Sequence, residues 1–182
     1  MALSSIITKR PEDNIINVAE DEWLEHVQGF KDVLVAARAI LKRARSSVFI
    51  NADFPITELV EELEFLVDNN VEVSIFSFYD LGKVPVGVRV FTHNHKMNIN
   101  HVCTRLMIAV DEEEIFISDC NSVTGEWRGT RTNNPLMTAV VCEHIHNDIY
   151  LMKFRKKYGR EVYEEIMISD TFEQRRKEIG VY

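Results

Sequence analysis

Residues 103–135, CTRLMIAVDEEEIFISDCNSVTGEWRGTRTNNP, decide how the rest of the chain is read. A mostly apolar run, Leu106 to Val110, turns through Asp111 and three glutamates and returns as Ile115-Phe116-Ile117. Two short β-rich runs around an acidic turn predict a hairpin with at least one buried strand. Residues 119–134 follow as a polar, glycine-containing stretch with Trp127 inside it, which reads as a long loop. Asn134 before Pro135 is helix-start chemistry: an amide that caps the first turn, then a proline whose missing N–H costs nothing there. A long loop set on rigid strands is where function usually sits.

Working outward from this stretch, the upstream chain alternates strand and helix. Trp23 to Val27 alternates in character and ends at Gly29, a first strand. Phe30, Val33, Leu34, Ala37, Leu41 and Ala44 recur at helical spacing, Val48-Phe49-Ile50 is a short buried strand, and Asp53-Phe54-Pro55 starts a second helix that closes at Asn69-Asn70. Val71, Val73, Ile75 and Phe76 give a third strand, and Val88 to Phe91 a further one. This order predicts parallel strands joined by right-handed crossovers, an α/β fold with a mixed sheet and helices packed on its faces. Ligands of such sheets gather beyond the carboxyl ends of the strands, which places Asn51, Asp53 and residues 77–80 at the rim. Downstream, Pro135 to about Tyr158 is the longest helix. Lys153, Arg155, Lys156 and Lys157 crowd its last turn, where they favour the negative end of the helix dipole, and Gly159 stops it.

The whole-chain totals narrow the class. The 182 residues suit one domain of residues 21–159, with a lead-in at 1–20 and a charged, helical tail at 160–182. A net charge of −8 argues against this domain gripping a phosphate backbone by itself. Three cysteines, Cys103, Cys120 and Cys142, are odd in number and form no CxxC, which suits a reducing cytoplasm. No apolar run approaches the ~18 residues of a spanning helix, and the opening residues do not form a secretory signal, so no membrane partner is expected.

The hairpin stretch resembles the strand–turn–strand element of phospholipase D-like domains, whose enzymes use H-x-K-x-x-x-x-D. Cys103 falls in the histidine slot, Arg105 in the lysine slot, and Asp111 arrives one residue late. The pattern is most similar to the degenerate phospholipase D-like effector domains of TrmB-family transcriptional regulators, which bind sugars. Further similarity lies in VQGFKDVLVAARAILKRARSSVFINAD and NNPLMTAVVCEHIHNDIYLMKF. The resemblance implies a phospholipase D-like sandwich, a homodimer, and DNA contact only through an attached or partner helix-turn-helix module. It implies a sugar or sugar phosphate as ligand and no cofactor. Without the histidine nucleophile, a non-enzymatic sensor is the expectation, with a divergent phosphodiesterase or nuclease as the alternative. A Cys103 nucleophile would need a stabilised thiolate, which the neighbouring Arg105 could assist; a buried strand cysteine is the plainer reading.

Polyol recognition needs amides, carboxylates and guanidinium groups that bridge neighbouring hydroxyls, plus an aromatic face. Asp119, Asn121, Glu126, Trp127, Arg128, Thr130 and Asn133 supply these types, joined by Asp53 and Arg105. Each also has a plainer role: solvated loop polarity, a turn cap, or, for Trp127, a core anchor that pins the loop. Arg105, Arg128 and Arg131 are the phosphate contacts expected of a phosphorylated ligand. His93, His95, His101 and Cys103 form the weak metal candidate, since each pair would share a strand face. His144 and Asp148, at i and i+4, need no more than a local hydrogen bond.

Overall fold

The computed structural model describes residues 22–53, 56–95, 105–121, 123–159, 161–162 and 165. Among them seven strands form one mixed sheet, ordered β1-β7-β6-β5-β2-β3-β4. The strands are β1 (Leu24–Gln28), β2 (Ser47–Ala52), β3 (Glu72–Tyr79), β4 (Arg89–His95), β5 (Arg105–Val110), β6 (Glu114–Cys120) and β7 (Trp127–Thr132). The helices are α1 (Phe30–Leu41), α2 (Val60–Asp68) and α3 (Pro135–Tyr158). The β2–β3–β4 block is parallel, as expected for those strands, though the link from β3 to β4, residues 80–88, holds no helix. β1 departs from the expectation. It points the same way as β2, but β7, β6 and β5 are inserted between them. The hairpin of residues 106–117 is present as β5–β6, and it docks against β2 rather than beside an open edge.

Side-chain alternation sends each strand's apolar set to two cores. On one face α1 and α2 pack on Val48, Ile50, Val73, Ile75, Leu106, Ile108 and Phe116. On the other, α3 lays Val141, Cys142, Ile145, Ile149 and Met152 over Phe76, Ala109 and Ile115. The α3 cap is as expected, with Asn134 Oδ1 accepting from Met137 N–H at 3.0 Å. Gly159, at φ 87°, ends the helix.

Residues 119–134 are not the long loop that their polarity suggests. Trp127–Thr132 is strand β7, paired on both sides, with Gly129 lying across from Ser118 and Val27. The second helix also differs at its start: a 3₁₀ turn at Thr57–Leu59 precedes α2. The expected lead-in, nearly all of the tail, and His101 and Cys103 lie outside the described residues. No helix among the described residues is long and apolar enough to cross a membrane.

Candidate functional site

The carboxyl ends of β2, β3 and β6 and the beginnings of β5 and β7 share one rim of the sheet. Two polar regions lie there, both on the α3 side. The first is an open groove of about 770 Å³ over β1, β7 and β6, beside the start of α3. Asp119, Asn121, Glu126, Trp127, Arg128 and Thr130 line it together with His26, Gln28 and Met137. Six of the nine residues expected to meet a ligand are thus brought to one concavity. His26 and Gln28 were missed, because only the β1–β7 ladder carries them beside Thr130 and Arg128.

Within the groove the side chains are differently committed. Arg128 is mostly exposed and only loosely paired with Asp119, at 3.8 Å. His26 Nδ1 and Thr130 Oγ1 lie 3.0 Å apart. Asn121 caps its own loop: its Oδ1 accepts from the N–H groups of Val123 and Thr124 at 2.9 and 3.1 Å. Its amide nitrogen bears no part of that turn. Trp127 packs on the helix-side core and sets its ring 5.2 Å from that of Phe30, the anchoring role weighed above.

The second region is a charged cluster where β2 and β5 meet α3. Arg105 Nε lies 2.7 Å from Asp53 Oδ2, and its Nη2 lies 3.9 Å from Asp148 Oδ2. Asn51, fully buried, donates from Nδ2 to the same Asp148 oxygen at 2.8 Å, and His144 Nε2 approaches it to 3.5 Å. Burial pushes the Asp53 carboxyl above its ordinary value, while Arg105 and the Phe78 backbone pull the other way. The His144–Asp148 pair, read from sequence as a local contact, is therefore one corner of a network joining three elements.

Asn133 belongs to neither region. Its Oδ1 accepts from Trp23 N–H at 2.9 Å, and it lines a cavity of about 410 Å³ at the opposite rim, with Arg43, Arg45 and Glu114. Arg131, on the other face of the sheet from Arg128, is held by Glu25 at 3.0 Å and Glu114 at 3.4 Å and lies over the Trp23 ring. Its expected phosphate contact does not fit that position. Asp111 sits at the far end of β5 from Arg105. Its carboxylate accepts from the backbone N–H groups of Arg45, Ser46 and Ser47 and from Ser46 Oγ, all at 2.8–2.9 Å. Its work is to tie the hairpin turn to the start of β2. His93 and His95 lie on β4, and among the described residues no His, Cys, Asp and Glu group is arranged to hold a metal ion.

A scan against protein-family models and a search of curated proteins match nothing. Solved structures do match. NucT from Helicobacter pylori superposes with a TM-score of 0.57 at 10% identity, over 71% of this chain and 97% of that one. The chain has the phospholipase D-like fold. TrmBL2, an archaeal chromatin protein described with a novel mode of DNA binding, superposes on this phospholipase D-like domain with a TM-score of 0.53 at 17% identity. That match covers 73% of this chain, which spans about half of TrmBL2, 54%. Phosphatidylserine synthase from Haemophilus influenzae matches at a TM-score of 0.44 and 11% identity, over 70% of this chain and 38% of that one. The likeness to a TrmB-like, phospholipase D-like domain expected from the hairpin stretch is present. One expectation is corrected: the chain was read as not an enzyme, yet NucT, a phospholipase D-like nuclease, shares its fold, so the architecture gives no ground for excluding catalysis.

Proposed function

We propose that the phospholipase D-like domain binds a sugar or sugar phosphate in the groove over β1, β7 and β6. Occupancy would alter DNA binding by an attached or partner helix-turn-helix module. The observation that carries this reading is the gathering of Asp119, Glu126, Arg128 and the Asn121 amide in one concavity with His26 and Gln28. Carboxylates accept from adjacent hydroxyls, amides bridge them, and an exposed guanidinium takes a phosphate with two parallel hydrogen bonds. Arg128 suits the last role because its pairing with Asp119 is long and exposed. The likeness to TrmBL2 supports the regulatory setting. A ligand shifts such a regulator only by its differential affinity for the two states.

A thermal-shift screen of sugars, sugar phosphates and nucleotides tests the reading. A ligand at ~100 times its dissociation constant stabilises by about 2.7 kcal/mol, on the order of 5–10 °C for a domain of this size. The expected result is a selective shift with one sugar, lost in Arg128→Ala and Glu126→Ala. Equal shifts in those variants, or none with any sugar, would remove the groove as the site.

The charged cluster favours a second reading, hydrolysis of a phosphodiester by a divergent site. Arg105 occupies the lysine slot of the resembling motif, and His144, steered by Asp148, stands beside it. Imidazole paired with a carboxylate is general acid–base equipment. Turnover of a chromogenic phosphodiester that Cys103→Ala or His144→Ala abolishes would establish this; turnover unchanged by both would place the activity elsewhere.

A further inference from the structure

The cavity of about 410 Å³ at the opposite rim of the sheet has walls of both charges. It lies where the segment after α1, the hairpin turn between β5 and β6, and the start of α3 meet, and it shares no lining residue with the groove. Its size is that of a small-molecule site. Arg45 on one wall and Glu112 and Glu113 on the hairpin turn are exposed and join no ion pair among the described residues. Exposed charges alone are solvated and select nothing, so the buried atoms behind them decide.

Two buried side chains at this cavity have unmet hydrogen-bonding capacity. Thr138 is 3% exposed and Glu114 7%. Thr138 Oγ1 has no hydrogen-bond partner, and neither has Glu114 Oε1, which Arg131 approaches to 3.4 Å without forming a hydrogen bond. Buried polar atoms are nearly always bonded, so a hydroxyl donor and a carboxylate acceptor remain beside one cavity. Arg43 Nη2 lies 3.4 Å from the other Glu114 oxygen, which leaves its remaining N–H groups for a ligand.

These groups are the complement of a zwitterion. A carboxylate accepts from guanidinium and hydroxyl groups, and an ammonium donates to carboxylates. We infer that the cavity binds an α-amino acid, its carboxylate on Arg43, Arg45 and Thr138 and its ammonium on Glu112, Glu113 and Glu114. A plain anion would face three glutamates, a plain amine two arginines, and a neutral polyol would leave both sets unmatched. The inference stands whether or not the groove binds a sugar.

Two substitutions separate binding from folding. Glu112 holds φ 57° in the hairpin turn, a left-handed conformation that glycine adopts without strain, so Glu112→Gly is expected to unfold no earlier than the parent chain. Arg45→Ala keeps the backbone N–H that donates to Asp111. Isothermal titration of the intact chain with each standard α-amino acid at millimolar concentration tests the site. The expected result is saturable binding of one or a few of them, weakened about tenfold or more in each variant, the scale of one charge-assisted hydrogen bond. The corresponding decarboxylated amine and deaminated acid are expected to lose at least as much. Four outcomes would each overturn the proposal. No amino acid binds; either analogue binds as tightly as its amino acid; binding survives both substitutions; or Arg128→Ala abolishes it, which would place the amino acid in the groove.

Discussion

A Cβ added at Gly129 would lie 2.7 Å from the Phe116 ring, closer than real Cβ atoms come to a neighbour, and 3.1 Å from Val27, which is tight. The missing side chain lets β7 close down on the helix-side core. Gly129→Ala is expected to cost about 1–3 kcal/mol, as overpacked cores do, and Phe116→Leu to restore part of it; urea unfolding of both variants measures this. Asp111 works by charge instead. Burial alone would raise its carboxyl, but the hydrogen bonds from Ser47, Ser46 and Arg45 outweigh burial and hold it below the ordinary 3.8. A depressed carboxyl contributes stability above its unfolded value and loses it as pH falls through the folded one. Asp111→Ala is therefore expected to cost about 1.5–3 kcal/mol at neutral pH, with the difference shrinking below about pH 4, as read from unfolding curves across that range. From sequence this aspartate was a displaced motif residue. Its binding to residues 45–47 was not legible, because the partners are distant in the chain.

At the scale of elements, the cluster of Asn51, Asp53, Arg105, His144 and Asp148 joins β2, β5 and α3 through side chains of opposite charge. Asp53 has its carboxyl raised by burial, so the fold prefers it neutral and its contribution to stability falls as pH rises from about 3.8 through the folded value. Asp53→Asn should flatten that stretch of the stability–pH curve. Arg105→Met should act oppositely, leaving two carboxylates facing each other without a cation. Its expected cost is about 2–4 kcal/mol at pH 7, smaller near pH 4, where the Asp53 carboxyl, raised by burial, takes a proton; denaturant midpoints at the two values check the sign. The rim position of Asn51 and Asp53 followed from the strand–helix order. The presence of α3 beside them did not, since helical periodicity tells which face is apolar but not which strands it will cover.

Across the whole molecule, β5, β6 and β7 are inserted between two strands that neighbour each other in sequence, β1 and β2. That insertion builds the groove, and α3 borders it through Met137. If the chain forms the homodimer that the resemblance implies, folding and association are linked, and the thermal midpoint should rise with protein concentration; a midpoint flat over a hundredfold range would count against the dimer. Local chemistry alone determined a good deal of this protein. The acidic hairpin turn, the Asn134 cap, the Gly159 stop and the apolar stripes of α1 and α2 all depend on neighbours within a few residues. Residues 127–132 show the limit. Trp-Arg-Gly-Thr-Arg-Thr is polar and carries a glycine, so nothing local marks it as a strand, and it becomes β7 only because β6 and β1 supply hydrogen-bond partners on both sides. The contact of His26 with Thr130 arises the same way. Strand order, and with it the assembly of the groove, rests on pairings between distant segments, whose energy exists only once the sheet has closed.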